Sequence, residues 1–107
     1  MNKVNLIFEA LSSIPRRRIL SYLSATSLTA GEIAERFDMS KPALSKHLKI
    51  LEMADLIARE KKGQYVHYSI NRDNLVSSLH DFAANFCPMG SSIKKESKQL
   101  SKSNKKD

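Results

Sequence analysis

The sequence has little of what secreted, disulfide-bonded or membrane-spanning proteins need. Its 107 residues include a single cysteine, so no disulfide can form within one chain. No apolar run approaches the roughly eighteen residues that cross a membrane. The first residues lack a basic segment followed by an apolar stretch, so we expect no secretion signal and no membrane insertion. These absences favour a protein of the reducing cytoplasm, with room for one small domain.

Positive charge is the first feature that is present. The chain has 18 Lys and Arg residues against 11 Asp and Glu residues, a net charge of +7. Six of the lysines lie in residues 91–107 beside one Glu and one Asp, so that segment carries +4 and residues 1–90 carry +3. Basic domains attract polyanions, nucleic acid before anionic membranes. Because most of the excess lies in the last segment, charge alone does not identify a binding surface in the rest.

Residues 91–107 differ in composition from the rest of the chain. Serine and lysine dominate there, and Ile93 and Leu100 are the large apolar residues. Such a segment buries too little surface to offset its ordering entropy. We therefore expect a domain at residues 1–90 followed by a flexible tail at residues 91–107. The tail lysines either add sequence-independent attraction to phosphate or only aid solubility.

Apolar periodicity predicts a helix at each end of the domain. The first helix has the i, i+3, i+4, i+7 spacing of one helix face at Val4, Ile7, Phe8 and Leu11. The last helix, over about residues 72–86, carries a second stripe at Leu75, Leu79, Phe82 and Phe86. After the first helix, Ser13 can cap another, and Pro15 fits a first turn because the N–H that proline lacks would be unpaired there.

Two further start signals predict a helix-turn-helix. Thr29-Ala30-Gly31-Glu32 is a capping box, in which the threonine hydroxyl and the glutamate carboxylate each accept a backbone N–H of the other residue. We expect this third helix to end near Phe37. Asp38-Met39 then makes a short turn, and Ser40 caps a fourth helix. The apolar stripe of the fourth helix consists of Leu44, Leu48 and Leu51.

The segment after the fourth helix predicts a β-hairpin. Leu56–Glu60 and Tyr65–Ile70 are the two strands, and Lys61-Lys62-Gly63-Gln64 joins them as the tip. Tyr68 alternates with two apolar neighbours, so we expect it in the core. The predicted order is α-α-α-α-β-β-α. This order is typical of a mainly helical winged helix-turn-helix with an additional helix at each end.

Four segments follow one another at a spacing that resembles a known family. They are Ala10–Leu20, Leu28–Ala34, Ser40–Leu51, which contains Ser45-Lys46-His47-Leu48, and Lys62–Ile70. Together they resemble the ArsR (ArsR/SmtB) family of bacterial winged-helix repressors, and most closely its branch of autorepressors that do not sense metals. The family usually has Asp-Pro-Thr before its arginines, where this chain has Ser13-Ile14-Pro15. We expect only a local change at the start of the second helix.

The resemblance implies a homodimer that pairs through its first and last helices. It also implies a repressor of an imperfect inverted repeat in double-stranded DNA, in its own or a neighbouring promoter. The dimer-interface candidates are Val4, Ile7, Phe8, Leu11, Leu75, Leu79, Phe82 and Phe86.

The fourth helix and the wing supply the residue types that DNA recognition needs. A recognition helix needs short polar side chains near its N-terminus and cations for the flanking phosphates. The candidates in the helix are Ser40, Lys41, Ser45, Lys46, His47 and Lys49. The wing candidates are Arg59, Lys61, Lys62, Gln64 and Tyr65, and Arg16 adds a phosphate contact. Alternatively the lysines form a solvated face, Ser40 only caps, His47 is structural and Arg16 makes a salt bridge within the domain.

Other functions find less support in the sequence. A metal-sensing thiolate site needs several cysteines, and the third helix has none, so we expect no metal and no cofactor. Cys87 is either a partly buried apolar residue or an oxidisable thiol between subunits. The sequence shows no nucleophile–base pair, phosphate loop or carboxylate pair, so we expect no enzyme. The alternative function is a winged-helix protein-interaction module that meets an acidic protein.

Overall fold

The structure is a computed structural model in which residues 2–86 and 96–101 are described. Its elements in chain order are α1 (Lys3–Leu11), α2 (Ile14–Tyr22), β1 (Leu28–Thr29), α3 (Ala30–Ala34), α4 (Lys41–Met53), β2 (Ile57–Lys62), β3 (Tyr65–Ile70) and α5 (Arg72–Ala84). The predicted winged helix-turn-helix is confirmed, with one short strand added ahead of α3. The chain divides into two compact units, Met1–Leu75 and Val76–Asp107.

The predicted helix starts are confirmed as side-chain caps. The hydroxyls of Ser13 and Ser40 each accept a backbone N–H from three residues further on, at 3.3 and 3.2 Å. In the capping box, the N–H of Thr29 donates to the Glu32 carboxylate at 3.0 Å, and the N–H of Glu32 donates to the Thr29 hydroxyl at 3.1 Å. The backbone hydrogen bond from Thr29 lowers the pKa of Glu32 below its ordinary value. Each helix of the helix-turn-helix thus begins where a short polar side chain satisfies its free amides.

The third helix is shorter than predicted. It ends at Ala34 and is capped by Glu35, whose N–H still bonds four residues back to Gly31 at 3.1 Å. The following N–H groups bond three residues back, Arg36 to Ile33 at 3.0 Å and Phe37 to Ala34 at 3.2 Å. Such tighter turns often close a helix. Phe37 still contacts the second helix, since its ring lies edge-on to Tyr22 at 5.8 Å between centroids and under the guanidinium of Arg18.

The fourth helix ends in a turn that the sequence pattern did not indicate. Asp55 has a φ of +58°, the left-handed region, and its N–H donates to the carbonyl of Glu52 at 2.9 Å. The N–H of Leu56 donates to the carbonyl of Leu51 at 3.0 Å, and both leucine side chains are fully buried. This pair of hydrogen bonds is the Schellman arrangement, which satisfies the last carbonyls of a helix. It turns the chain directly into β2.

The wing is a three-stranded antiparallel sheet in the order β1-β3-β2. The register runs from Ile57 opposite Ile70 to Lys62 opposite Tyr65, so the turn consists of two residues where we predicted four. Gly63 begins that turn with a φ of +64°, which glycine adopts without a steric penalty. Strand β1 pairs two residues with β3. A pair of residues is too short to show a period of two, which explains why the sequence did not reveal it.

The core of the first unit lies under α4 and the sheet. Its buried side chains are Ile7, Ala10, Ile19, Leu20, Leu23, Ile33, Leu44, Leu48, Leu51, Ala54, Leu56, Ile57 and Tyr68. Tyr68 is therefore in the core, as predicted. One predicted dimer contact is wrong, because Ile7 is only 2 % exposed and packs inside its own chain. Leu11 and Leu75 are partly buried and also pack against this core.

The fifth helix buries none of its thirteen residues. Beyond Leu75 it exposes Val76, Leu79 and Phe82, and the ring of Phe82 contacts that of Phe86 at 5.2 Å between centroids. Within the predicted tail, residues 96–101 are helical and exposed. Cys87 and the rest of the tail lie outside the described residues. No helix among those described combines the length and apolar character that crossing a membrane would require.

Candidate nucleic-acid interface

The fourth helix separates its apolar and polar residues. Leu44, Leu48 and Leu51 are buried in the core. The exposed side holds four of the predicted contacts, which we call the lysine–serine face: Lys41, Ser45, Lys46 and Lys49. Three cations and a hydroxyl on one exposed helix surface can meet phosphate oxygens and the acceptor atoms of base edges.

A concave surface lies beside the lysine–serine face. It encloses about 260 Å³ and is lined by Ala30, Gly31, Ala34, Lys41, Leu44 and Ser45. The small residues of α3 create this space. A Cβ added to Gly31 would meet only the Thr29 hydroxyl, at 3.9 Å. The two helices of the helix-turn-helix therefore leave room next to the polar side chains that we predict to contact DNA.

Ser40 serves the helix itself. Its oxygen accepts the amide of Ala43, so the capping role that we predicted is present. A hydroxyl that accepts one hydrogen bond still has its own proton to donate. Ser40 is exposed, so its capping bond leaves a phosphate contact open to it.

The wing candidates are divided between the two faces of the hairpin. Arg59 and Lys61 lie opposite Tyr68 and Val66 in the register, whereas Lys62 lies opposite Tyr65 on the other face. All the wing candidates, including Gln64 at the turn, are exposed. The side chains at the wing tip thus present cations to both sides of the hairpin.

Arg59 connects the wing to α4. Its Nε lies 3.3 Å from Oε1 of Glu52, and the side chain of Arg59 is mostly exposed. An exposed ion pair of this kind contributes about 0–1 kcal/mol. The sequence did not indicate the part played by Glu52, because the two residues belong to different elements.

Arg16 is an interior residue, in contrast to the phosphate contact that we predicted. Only 8 % of it is exposed. Its Nε donates to the carbonyl of Ala10 and its Nη2 to that of Glu9, both at 2.9 Å, and Nη1 lies 3.0 Å from Nδ1 of His47. The last carbonyls of a helix need donors from outside it, and the guanidinium supplies them to α1. Arg17 also bonds to α1, through the carbonyl of Leu11.

His47 has the half-buried, structural position that was one of our two interpretations. Burial lowers the pKa of His47, and the neighbouring charges of Arg16 and Lys46 lower it further. Both effects favour the neutral form of the imidazole. Its partner is 31 residues away in the chain, so no local sequence pattern could have identified the pair.

Potential metal ligands are dispersed among the described residues of one chain. Residues 2–86 and 96–101 contain no group of three or more His, Cys, Asp or Glu side chains placed to hold an ion. Helix α3 has no thiol, and the single cysteine of the sequence is Cys87. The donor set for a thiolate-bound metal on that helix is therefore missing.

Comparison with known proteins identifies relatives of this chain. Residues 15–60 match a family described as a helix-turn-helix domain. The chain is 44 % identical over 77 residues to the transcriptional repressor SdpR of Bacillus subtilis, which is 72 % of this chain and 86 % of that protein. It is 32 % identical over 81 residues to an arsenical resistance operon repressor of Staphylococcus aureus, with 73 % and 78 % covered. The crystal structure of an ArsR family transcriptional regulator superposes with a TM-score of 0.71 at 31 % identity, covering 78 % of this chain and 84 % of that one.

Proposed function

This chain belongs to the ArsR family of winged helix-turn-helix transcriptional regulators, and we propose that it is a homodimeric repressor of an inverted-repeat DNA operator. The observation that carries the proposal is the lysine–serine face of α4, set opposite three buried leucines. The relatives are transcriptional regulators with a DNA-binding fold, so we propose no enzymatic role. A bacterial repressor works beside the chromosome, in the cytoplasm.

Helix α4 enters the major groove in this proposal. Lys41 and Lys46 have the chemistry to donate to O6 and N7 of guanine, and the hydroxyl of Ser45 can bond to several bases. Lys49, further along the helix, meets a phosphate. The exposed tip of the wing follows the flanking backbone with the side chains of Lys61, Lys62, Gln64 and Tyr65.

Two copies of the chain act together. In the first unit α1 exposes Val4 and Phe8, and in the second α5 exposes Leu79 and Phe82, with Phe86 following. Exposed apolar side chains of this size favour a protein–protein contact. A two-fold dimer would present its α4 helices about 34 Å apart, one turn of DNA, or a near multiple. Occupancy of a promoter would then block polymerase sterically, and the promoter could be that of its own gene.

The test is selection from a random-sequence DNA pool at fixed salt. We expect an inverted repeat whose half-sites lie about 10 base pairs apart, or a near multiple. Lys46→Ala should weaken binding to the selected duplex about tenfold, because a good base contact contributes about 1–3 kcal/mol of discrimination. Affinity falls with salt, and Lys62→Ala should make that dependence shallower: the slope of log affinity against log salt should decrease in magnitude by about 0.9 for each phosphate contact removed.

Lys3→Ala is the matched control. It removes the same charge from an exposed position at the start of α1. We expect it to bind the selected duplex like the native chain. Unchanged affinity of both Lys46→Ala and Lys62→Ala would refute our contact assignment. Salt-sensitive binding with no preferred sequence would favour a protein-interaction module.

A further inference from the structure

Arg16 joins three elements of the first unit. It belongs to α2, donates to the last carbonyls of α1, and contacts the ring of His47 on α4 at 3.0 Å. Among the described residues, Arg16 is the single charged residue that is buried. Leucine packing under α4 is not directional, whereas hydrogen bonds to a planar guanidinium fix both a distance and an angle. The Arg16 contacts are therefore suited to set how α4 is oriented against α1.

The chemistry of the pair decides where the imidazole carries its proton. A guanidinium is always protonated and offers only donors. Nδ1 of His47 must therefore present a lone pair to Arg16, and the proton of the neutral ring lies on Nε2. An imidazolium would place one N–H against another and lose the bond. The contact to Arg16 thus requires a neutral His47 with a single tautomer.

We propose that Arg16 is a positioning residue for DNA binding, which acts by holding His47 as the neutral Nε2–H tautomer and so fixes α4 to the end of α1. The inference rests on the proposed function, because it assigns a role in orienting the helix that enters DNA. His47 directly follows Ser45 and Lys46 of the lysine–serine face. Helix α1 also carries the exposed Val4 and Phe8. Arg16 therefore links a helix that we propose for dimer pairing to the helix that we propose for DNA recognition.

The first test needs no DNA. Nitrogen NMR of the imidazoles in the full chain, near neutral pH, should show His47 with an unprotonated Nδ1 and a protonated Nε2. Arg16→Met should remove this preference and give a mixture of tautomers. A native His47 with its proton on Nδ1 would overturn the proposal, and so would an Arg16→Met spectrum identical to the native one.

The second test separates the two ring nitrogens in DNA binding. In His47→Asn the side-chain oxygen can take the place of Nδ1 and accept from Arg16, whereas in His47→Gln the amide reaches the place of Nε2. Against the duplex selected by the native chain, we expect His47→Asn to bind within about threefold. His47→Gln should bind about tenfold more weakly, since it loses a buried hydrogen bond to a charged group.

Other results contradict the proposal. A larger loss in His47→Asn would show that Nε2 contacts DNA directly, and equal losses or no losses would show that the Arg16 bond does not orient α4. Thermal unfolding verifies that His47→Asn and His47→Gln fold. These two variants still test the proposal if Arg16→Met does not fold. If the native chain selects no duplex, the proposed function fails, while the NMR result still decides the Arg16–His47 contact.

Discussion

Helices α4 and α5 have the same length and opposite surroundings. Each has thirteen residues and an apolar stripe. The stripe of α4 is buried at Leu44, Leu48 and Leu51, whereas α5 buries none of its residues and leaves Leu79 38 % exposed. The same period in the sequence therefore marks a core in one helix and an exposed surface in the other. What differs is burial: the α4 stripe belongs to the core, whereas Leu79 and Phe82 of α5 are exposed, and we propose that these two contact a second subunit.

The largest effect is expected from a charge on the exposed stripe of α5. Leu79→Glu should give monomers, because a carboxylate in an apolar contact must be desolvated without a partner. Loss of the second half-site contact should weaken binding to the selected duplex at least about 100-fold. Sedimentation measures the assembly, and titration of the duplex measures the affinity. His80→Glu introduces the same charge one residue later and should remain dimeric. Dimers of Leu79→Glu would refute the proposed role of α5.

The next effect concerns the buried stripe of α4. Leu48→Ala should lower the free energy of unfolding by about 2–5 kcal/mol, because it removes a core side chain and leaves a cavity. Met53→Ala, on the exposed part of the same helix, should change it by about 0.5 kcal/mol or less. Leu79→Ala should act on dimer dissociation, so its effect should vary with protein concentration. Urea unfolding at two protein concentrations separates the three cases, and equal losses for Leu48→Ala and Met53→Ala would abolish the contrast.

A smaller effect is expected at the N-termini, where the two helices are alike. Ser40 caps α4, and at α5 the side-chain oxygen Oδ1 of Asn71 accepts the N–H of Asn74 at 3.3 Å. Ser40→Ala should cost about 1 kcal/mol of unfolding free energy. Asn71→Ala should cost at least as much, because Nδ2 of Asn71 also donates to the carbonyl of Asp55 at 3.1 Å. Ser40→Gly should cost only about a few tenths of a kcal/mol, since glycine is tolerated at a cap. A large loss in one alanine variant and none in the other would show that the helix starts, too, distinguish α4 from α5.

The smallest effect is a pH dependence that belongs to α4. The charged groups around His47 are Arg16 of α2 and Lys46 of its own helix, and both join burial in lowering the pKa of His47. As pH decreases, the unfolded chain therefore protonates His47 before the folded chain does. The contribution of His47 to stability is fully present above the ordinary histidine pKa of 6.5 and is lost as pH falls below that value. Unfolding at pH 7.5 and 5.5 should show this loss, and His47→Asn should reduce it. An undiminished loss in His47→Asn would assign it to other groups.

Local signals account for what the sequence predicted. The starts at Ser13, Thr29 and Ser40 and the turn at Gly63 depend on groups within a few residues, and the structure confirms each of them. The exposure of Ile7 depends on what covers its helix face, which no local pattern contains. In the candidate site, the lysine–serine face followed from helix geometry. The contacts of Arg16 with His47 and of Arg59 with Glu52 required the packing of separate elements.

The tight turn at Gly63 has a consequence for how the wing can vary. Strand side chains alternate between the two faces. Because the loop has only two residues, Lys61 and Lys62 both belong to the strand and lie on opposite faces of the wing. A single residue inserted between Arg59 and the loop would shift both lysines by one position, so that Lys61 and Lys62 would exchange faces of the hairpin. Wings of different length that keep each lysine on its present face should therefore differ by an even number of residues in each strand.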